Sequence, residues 1–337
     1  MKYIVRSTVA VLLLCVAAAI WLAVDMHRFA HRPAGSDKTP VIVSVSPGET
    51  FAALTASLAQ SVVITDVCRF KWLARIKGDD KRLKAGEFSL TRAMAPVEVL
   101  DTLVNGKVYL HRLTIPEGYT IEQIAQELAR TGLADPEVFK RMAYDAATVK
   151  AFALHGPSLE GYLFPDTYAF PKTITAAAVI ETMVAHFKTQ FSPLWQERAT
   201  ILGLTPHQVV TLASIIEKET GDPSERPLIA SVFHNRLKKG MRLESDPTVI
   251  YGIEDFNGNL TRAHLRTATP YNTYVIRGLP PGPIANPGSA ALHAALYPTE
   301  SEYLFFVSRK DGTHQFSHTI EEHIQAVRKF QLRRRSR

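Results

Sequence analysis

Cysteine is scarce in this chain. Of 337 residues only Cys15 and Cys68 carry a thiol, and Cys15 lies inside an apolar run, so a disulfide framework is excluded and the fold must rest on a buried core. With 46% hydrophobic residues the chain can build one, and its length suits two or three folded units. Metal signatures are missing too. His314 and His318 stand four apart, but Gly312 and Thr313 precede them and no His-Glu-x-x-His run occurs, so neither a metal nor a cofactor is expected. The formal charge of +7 admits an anionic partner. No dense basic stripe interleaved with aromatics accompanies it, and no zinc-finger or RNA-recognition pattern, so nucleic acid is not expected as that partner. Much of the excess sits in Arg328-Lys329 and Arg333-Arg334-Arg335, and 331–337 reads as a solvated basic tail.

What the chain has begins at its N-terminus. Lys2 and Arg6 precede an uncharged stretch over 7–24, closed by Asp25, His27 and Arg28. Eighteen such residues suffice for one membrane-spanning helix. Ala17-Ala18-Ala19 offers small residues for a signal-peptide cut, but Ile20 to Val24 prolongs the apolar run past it and favours a retained anchor. Leu14 occupies the place where a lipoprotein site wants a small residue. Positive charge flanks both sides, so charge alone leaves the orientation open. Residues 25–40 read as a linker.

Farther on, strand and helix signals alternate. Val41, Val43 and Val45 predict a strand, and Ser46-Pro47-Gly48-Glu49-Thr50 a turn and helix start. Leu113 to Thr120 repeats that order of strand, turn and threonine cap, followed by an amphipathic helix from Ile121, which hints at duplicated small α+β units. Glu160 to Tyr168 reads as a loop whose aromatics either line a groove or pack beneath a helix. Val179, Met183 and Phe187 form the core stripe of a helix over 174–191. Gly278 to Gly288, with four prolines in eleven residues, is a stiff loop that suits one wall of a cleft. Tyr303 to Ser308 predicts a hairpin strand that turns at Asp311-Gly312 and returns through Gln315 and Phe316.

The helix most suggestive of chemistry starts at Thr205, a good N-cap followed by Pro206, and should end near Gly221. Val209, Leu212, Ile216 and Glu219 follow at steps of three and four, so the Glu219 carboxyl continues an apolar stripe while Glu217 falls at its margin. A carboxyl at a helix C-terminus meets the negative end of the macrodipole and apolar neighbours, and both raise its pKa toward the range of a general acid. The competing reading is a solvated last turn, Glu217-Lys218-Glu219.

The surrounding wording resembles a known family. Ala213 to Thr220, Ala230 to Phe233, Asn235-Arg236-Leu237, Gly240 to Leu243 and Ser245 to Gly252 strongly resemble the endolytic murein transglycosylases of the MltG (YceG-like) family. Tyr271 to Tyr274, Gly278 to Ile284 with Pro287-Gly288, and Phe306-Val307 followed by Gly312, His314 and Phe316 look like its later signatures. The resemblance implies a lytic transglycosylase in which Glu219 is the catalytic acid, Glu217 is supporting, and Asn235, Asp246, Tyr251 and Asn272 hold the sugar from in or just behind the groove. Two plainer readings stand beside these roles: Asp246 opens a helix and caps its first turn, and Asn235-Arg236 is a helix surface with one ion pair.

From the resemblance also follow a cytoplasmic N-terminus (1–6), a transmembrane helix (7–24), an α+β fold with a LysM-like module over 41–110, and a catalytic domain over 111–337. That domain divides into a connecting part (111–168), a core with the active site (169–330) and the basic tail. A spacer is the other reading of 41–110, since no aromatic platform for sugars is evident. The implied location is the inner membrane with the catalytic part in the periplasm, and the implied partners are peptidoglycan glycan strands, membrane lipid and peptidoglycan synthases. A muramidase pairing Asp246 with Glu219, and a non-catalytic glycan-binding scaffold, are the alternatives.

Overall fold

The computed structural model describes residues 2–332, with side chains from Arg6 onward. Met1 and residues 333–337 of the expected basic tail lie outside the described residues. The chain divides into two compact units, Met1–His111 with Ala169–Thr173, and Arg112–Tyr168 with Ile174–Arg337.

In the first unit α1 (Lys2–His31) is one continuous helix, and its stretch Arg6–His31 is long and apolar enough to cross a membrane. The helix runs past the expected boundary at Val24 because its last turns have partners. Asp25 meets Arg69 at 3.3 Å, and Phe29 and Ala30 are buried, so 25–31 is helix rather than linker. Then follow β1 (Val41–Val45), α2 (Phe51–Gln60), α3 (Val67–Lys77), β2 (Gly86–Leu90) and α4 (Pro96–Asn105). Strands β1 and β2 pair antiparallel with Val41 opposite Leu90. Period-two alternation sends Val43, Val45, Phe88 and Leu90 inward and leaves Ile42 outside. Thr50 caps α2 by accepting from the Ala53 amide, and Asp66 caps α3 through Arg69. Both cysteines are free, as the apolar setting of Cys15 implies.

The second unit contains β3 (His111–Thr114) from Arg112 on, α5 (Ile121–Thr131), α6 (Pro136–Ala143), α7 (Ala146–Ala151), β4 (Thr167–Phe170) up to Tyr168, α8 (Ala176–Gln190), α9 (Pro193–Ile201) and α10 (Pro206–Glu219). After α10 come α11 (Arg226–Lys238), α12 (Asp246–Tyr251), α13 (Arg262–Arg266), α14 (Ser289–Leu296), the antiparallel hairpin β5 (Phe305–Ser308) and β6 (His314–Ser317), and α15 (Ile320–Phe330). The whole is a mixed α+β fold.

Helix α10 is the axis of this unit. Thr205 and Gln208 close a capping box at its start, each side chain accepting from the other's backbone amide. Every residue from Val209 to Ile216 is buried, so the helix is enclosed all round rather than along one stripe. It packs most extensively against α14, and also against α11 and α12. Truncating one such side chain, Leu212 for instance, should cost about 2–5 kcal/mol. The enclosed polar atoms find partners: Ser214 donates to the Thr211 carbonyl at 2.7 Å and accepts from the Ile284 amide at 3.0 Å.

Candidate active site

Helix α10 ends on Glu219, and the Thr220 hydroxyl closes its last turn by donating to the Ile216 carbonyl at 2.6 Å. The enclosed helix therefore delivers one carboxyl to its own tip. That carboxyl is half-buried and lines a cleft of about 410 Å³ together with Arg236, Glu244, Asp246, Tyr274, Phe305 and His323. Burial is the main cause that pushes its pKa up to about 7; the donated hydrogen bond from Ser245 opposes the rise, the Asp246 charge adds to it, and His314 and Arg236 oppose it. At such a value the group exists in both protonation states near neutrality, so it can give a proton and take one back.

Its neighbours are held firmly. Arg236, on α11, is buried: its Nε donates to the Leu304 carbonyl at 2.6 Å, its Nη1 to the Leu243 carbonyl at 2.8 Å, and its guanidinium lies 5.1 Å from the Phe305 ring centroid. It is thus a fixed positive charge rather than a mobile one. The Tyr274 hydroxyl donates to Asp246 Oδ1 at 2.7 Å and steadies a carboxylate that is otherwise exposed. His314 is oriented from behind by Glu225, whose Oε2 lies 2.7 Å from its Nδ1. His318 stacks on Tyr303 with centroids 4.3 Å apart, so the two histidines of the hairpin have separate surroundings.

Of the residues singled out from the sequence, the fold brings Glu219 and Asp246 into one cleft. The others support it from outside. Glu217 accepts from Arg226 Nη2 at 2.8 Å and from the Gly288 amide at 3.1 Å; burial raises its pKa, while Gly288 and Arg226 oppose the rise. Asn235 Nδ2 donates to the carbonyls of Ser301 and Tyr303 at 2.8 and 3.0 Å and so anchors the approach to β5. Asn272 is fully buried; its Nδ2 donates to the Thr267 carbonyl at 2.7 Å and its Oδ1 accepts from the Tyr274 amide at 2.9 Å, which places Tyr274. The Tyr251 hydroxyl reaches Glu160 Oε2 at 3.2 Å.

Two expectations resolve toward packing. Tyr162, Phe164 and Tyr168 are buried, with the Tyr162 hydroxyl donating to the His155 carbonyl at 2.8 Å. Most of the proline-rich loop is also interior. Residues 282–288 are buried, and the loop does not line the Glu219 cleft. Prolines suit a buried loop, because each removes an amide hydrogen that would need a partner.

Sequence reasoning missed one hub altogether. Glu160 is fully buried and receives the Ile121 amide at 3.2 Å, Asn286 Nδ2 at 2.8 Å and the Tyr251 hydroxyl. Burial pushes its pKa up to about 8 against those hydrogen bonds. Asn286 in turn accepts the Gly161 and Leu163 amides, both at 2.9 Å, and so ties the 160–163 loop to the proline-rich loop. Gly161 has φ +87°, and a Cβ there would lie 2.5 Å from Pro283, so glycine is required. The only local signal was a glutamate beside a glycine in an aromatic loop. Ser245 was missed as well, although it stood within a quoted motif: its Oγ donates to Glu219 Oε1 at 2.6 Å.

Comparisons with known proteins agree with this architecture. The model of the YceG-like family matches residues 43–329. A curated protein of Bacillus subtilis named endolytic murein transglycosylase is 32% identical over 313 residues, covering 87% of this chain and 85% of the relative. One of the same name from Streptococcus pneumoniae is 28% identical over 324 residues, covering 87% of this chain and 58% of that longer protein. The crystal structure of a yceG-like protein from Listeria monocytogenes superposes with a TM-score of 0.60 at 35% identity, covering 86% of this chain and 99% of that one. By sequence and by fold, the chain belongs to the YceG-like family.

Proposed function

We propose that this protein is an endolytic lytic transglycosylase that cleaves the MurNAc-GlcNAc bond of peptidoglycan glycan strands and leaves a 1,6-anhydromuramoyl end. The observation that carries the reading is the single Glu219 carboxyl at the tip of α10, half-buried, facing the cleft and poised at about pH 7. The names of the similar proteins support the same activity and substrate. In the proposed reaction the Glu219 carboxylic acid protonates the bridging oxygen as the bond to the muramic C1 breaks through an oxocarbenium-like state. The carboxylate then takes the proton of the C6 hydroxyl of the same sugar as that oxygen bonds to C1. The acid is restored and no water is consumed. An intramolecular hydroxyl competes well because its effective concentration is high.

In this reading Asp246, held by Tyr274, touches the sugar, whereas Asn235, Tyr251, Asn272 and Glu217 act behind the cleft by fixing its walls. Helix α1 anchors the chain in the inner membrane, with the N-terminus cytoplasmic and the catalytic unit in the periplasm, where it limits nascent strand length beside peptidoglycan synthases. The unit of β1, α2, α3, β2 and α4, whose core of Leu54, Leu58, Phe70, Phe88 and Leu100 is shared with Phe29 of α1, serves in this reading as a LysM-like glycan-binding module. Incubating the detergent-solubilised full chain with uncrosslinked glycan strands and weighing the products tests the proposal. Anhydro ends are expected. Reducing ends would mean a muramidase in which Asp246 activates water, and unshortened strands a scaffold.

A further inference from the structure

We infer that Ser245 is a positioning residue for the catalytic acid: its hydroxyl holds Glu219 Oε1, so that Oε2 is the oxygen that gives the proton to substrate and takes the next one. The inference rests on the transglycosylase reading and concerns how the acid is aimed.

Ser245 occupies the N-cap of α12, where a serine hydroxyl ordinarily accepts a backbone amide of the first turn, yet it makes no such bond. The hydroxyl turns instead to Glu219 Oε1 at 2.6 Å, and among the described residues this is its only hydrogen bond. The turn that carries it is held by backbone atoms of the same residue. The Ser245 amide donates to Thr273 Oγ1 at 3.0 Å, and the Ser245 carbonyl accepts from Thr248 Oγ1 at 2.6 Å. The preceding residue, Glu244, has φ +50°, a left-handed conformation unfavourable for a non-glycine side chain. A forgone cap and a strained neighbour both favour a turn shaped to present this hydroxyl. Meanwhile Oε2 of Glu219 makes no hydrogen bond among the described residues and is not among their buried unpartnered atoms, so it keeps access on the side where Glu219 lines the cleft. The two oxygens thus have different surroundings, one fixed and one free.

The other charged or titratable groups facing Glu219 are Asp246 on α12, Arg236 on α11, His314 on β6, and Tyr274 and Glu244 on the connecting loops; His323 on α15 lines the same cleft. Against that fixed background the Ser245 bond favours the carboxylate and lowers the Glu219 pKa. Removing it should raise the pKa and move the basic limb of the rate profile to higher pH.

The test compares the full chain with Ser245→Ala and Ser245→Thr, measuring kcat against pH on glycan strands, thermal midpoint, and the Glu219 titration by carbon-13 NMR with Glu219→Gln for assignment. Expected for Ser245→Ala is a wild-type midpoint, a loss of about ten- to a hundred-fold in kcat with KM little changed, and a titration moved upward; Ser245→Thr restores the titration. An unmoved titration overturns the inference, whatever the rate does. So does unfolding of Ser245→Ala, which would make the hydroxyl structural. Because the titration is read on the protein without substrate, it answers even if the wild type cleaves no glycan, an outcome that sinks the activity and not the geometry.

Discussion

Two carboxyls in the second unit, one sealed and one half-buried, make an instructive pair. Glu219 and Glu160 both have pKa values raised by burial, to about 7 and about 8. Glu160 receives donors from three elements and is sealed; Glu219 receives one hydroxyl and keeps an oxygen open to a cleft. A raised pKa therefore does not identify a catalytic acid. What separates the two is the number of donors already satisfied and the access left over. Glu160 joins α5, the 160–163 loop, the proline-rich loop and α12, and α12 is the helix that begins beside Glu219. The sealed carboxyl ties parts of the wall together; the open one faces the cleft.

Breaking each member should show this division. The largest effect is expected from Glu219→Gln, which keeps the shape and removes the proton: release of anhydro-ended glycan should fall by at least about a hundred-fold while the thermal midpoint stays near wild type. Retained activity would remove the residue from the chemistry. Glu160→Ala should do the reverse. It strands the Ile121 amide and the Tyr251 hydroxyl and leaves Asn286 Nδ2 with only the Tyr119 carbonyl, and denaturant unfolding should show a loss of about 3 kcal/mol. Cleavage per folded molecule should change far less than in Glu219→Gln.

Glu217→Gln sharpens the contrast at close range. Glu217 lies two residues from Glu219, but its oxygens brace Arg226 and Gly288. A stability loss of about 1–2 kcal/mol with most of the activity retained is expected, since one charge of a buried pair is lost while a hydrogen-bonding amide remains. Selective loss of cleavage would transfer the catalytic role to Glu217.

The gentlest probe is pH. An acid that must be protonated loses activity as pH rises through about 7, the value for Glu219. Glu160 acts on stability instead. Its folded-state pKa exceeds the ordinary 4.5, so the folded chain holds that proton more tightly; this contribution is complete below 4.5 and is lost as pH rises toward about 8. Parallel rate and unfolding curves should therefore differ, the rate declining around pH 7 and the stability loss attributable to Glu160 continuing to about 8. Replacing Glu160 should remove the later change and leave the rate profile in place.

Local rules made much of the fold legible. Thr205 with Pro206 marked the start of α10, Thr50 and Thr120 marked α2 and α5, alternating valines marked β1, and Asp311-Gly312 marked the turn between β5 and β6. The continuation of Val209, Leu212 and Ile216 to Glu219 pointed at the residue that lines the cleft. Periodicity did not reveal that Val210, Ala213 and Ile215 are buried as fully, because a stripe describes one face and α10 is enclosed on all sides. The proline-rich loop read as stiff, which it is by composition, but its burial depended on what packs over it. The end of α1 was misjudged because Asp25 and Arg28 look like a boundary until Arg69 and the pocket for Phe29 are in place.

By itself the sequence determined where β1, α2, α5 and α10 start, which stretch can cross a membrane, and which glutamate closes the apolar helix, since each depends on residues within a few positions of one another. Tertiary structure alone decided which carboxyl is open and which is sealed. Ser245 meets Glu219 across 26 positions and Asn286 meets Glu160 across 126, and no local pattern records such meetings. Desolvation and hydrogen bonding, the two influences that set the character of both acids, belong to the packed chain rather than to any segment of it.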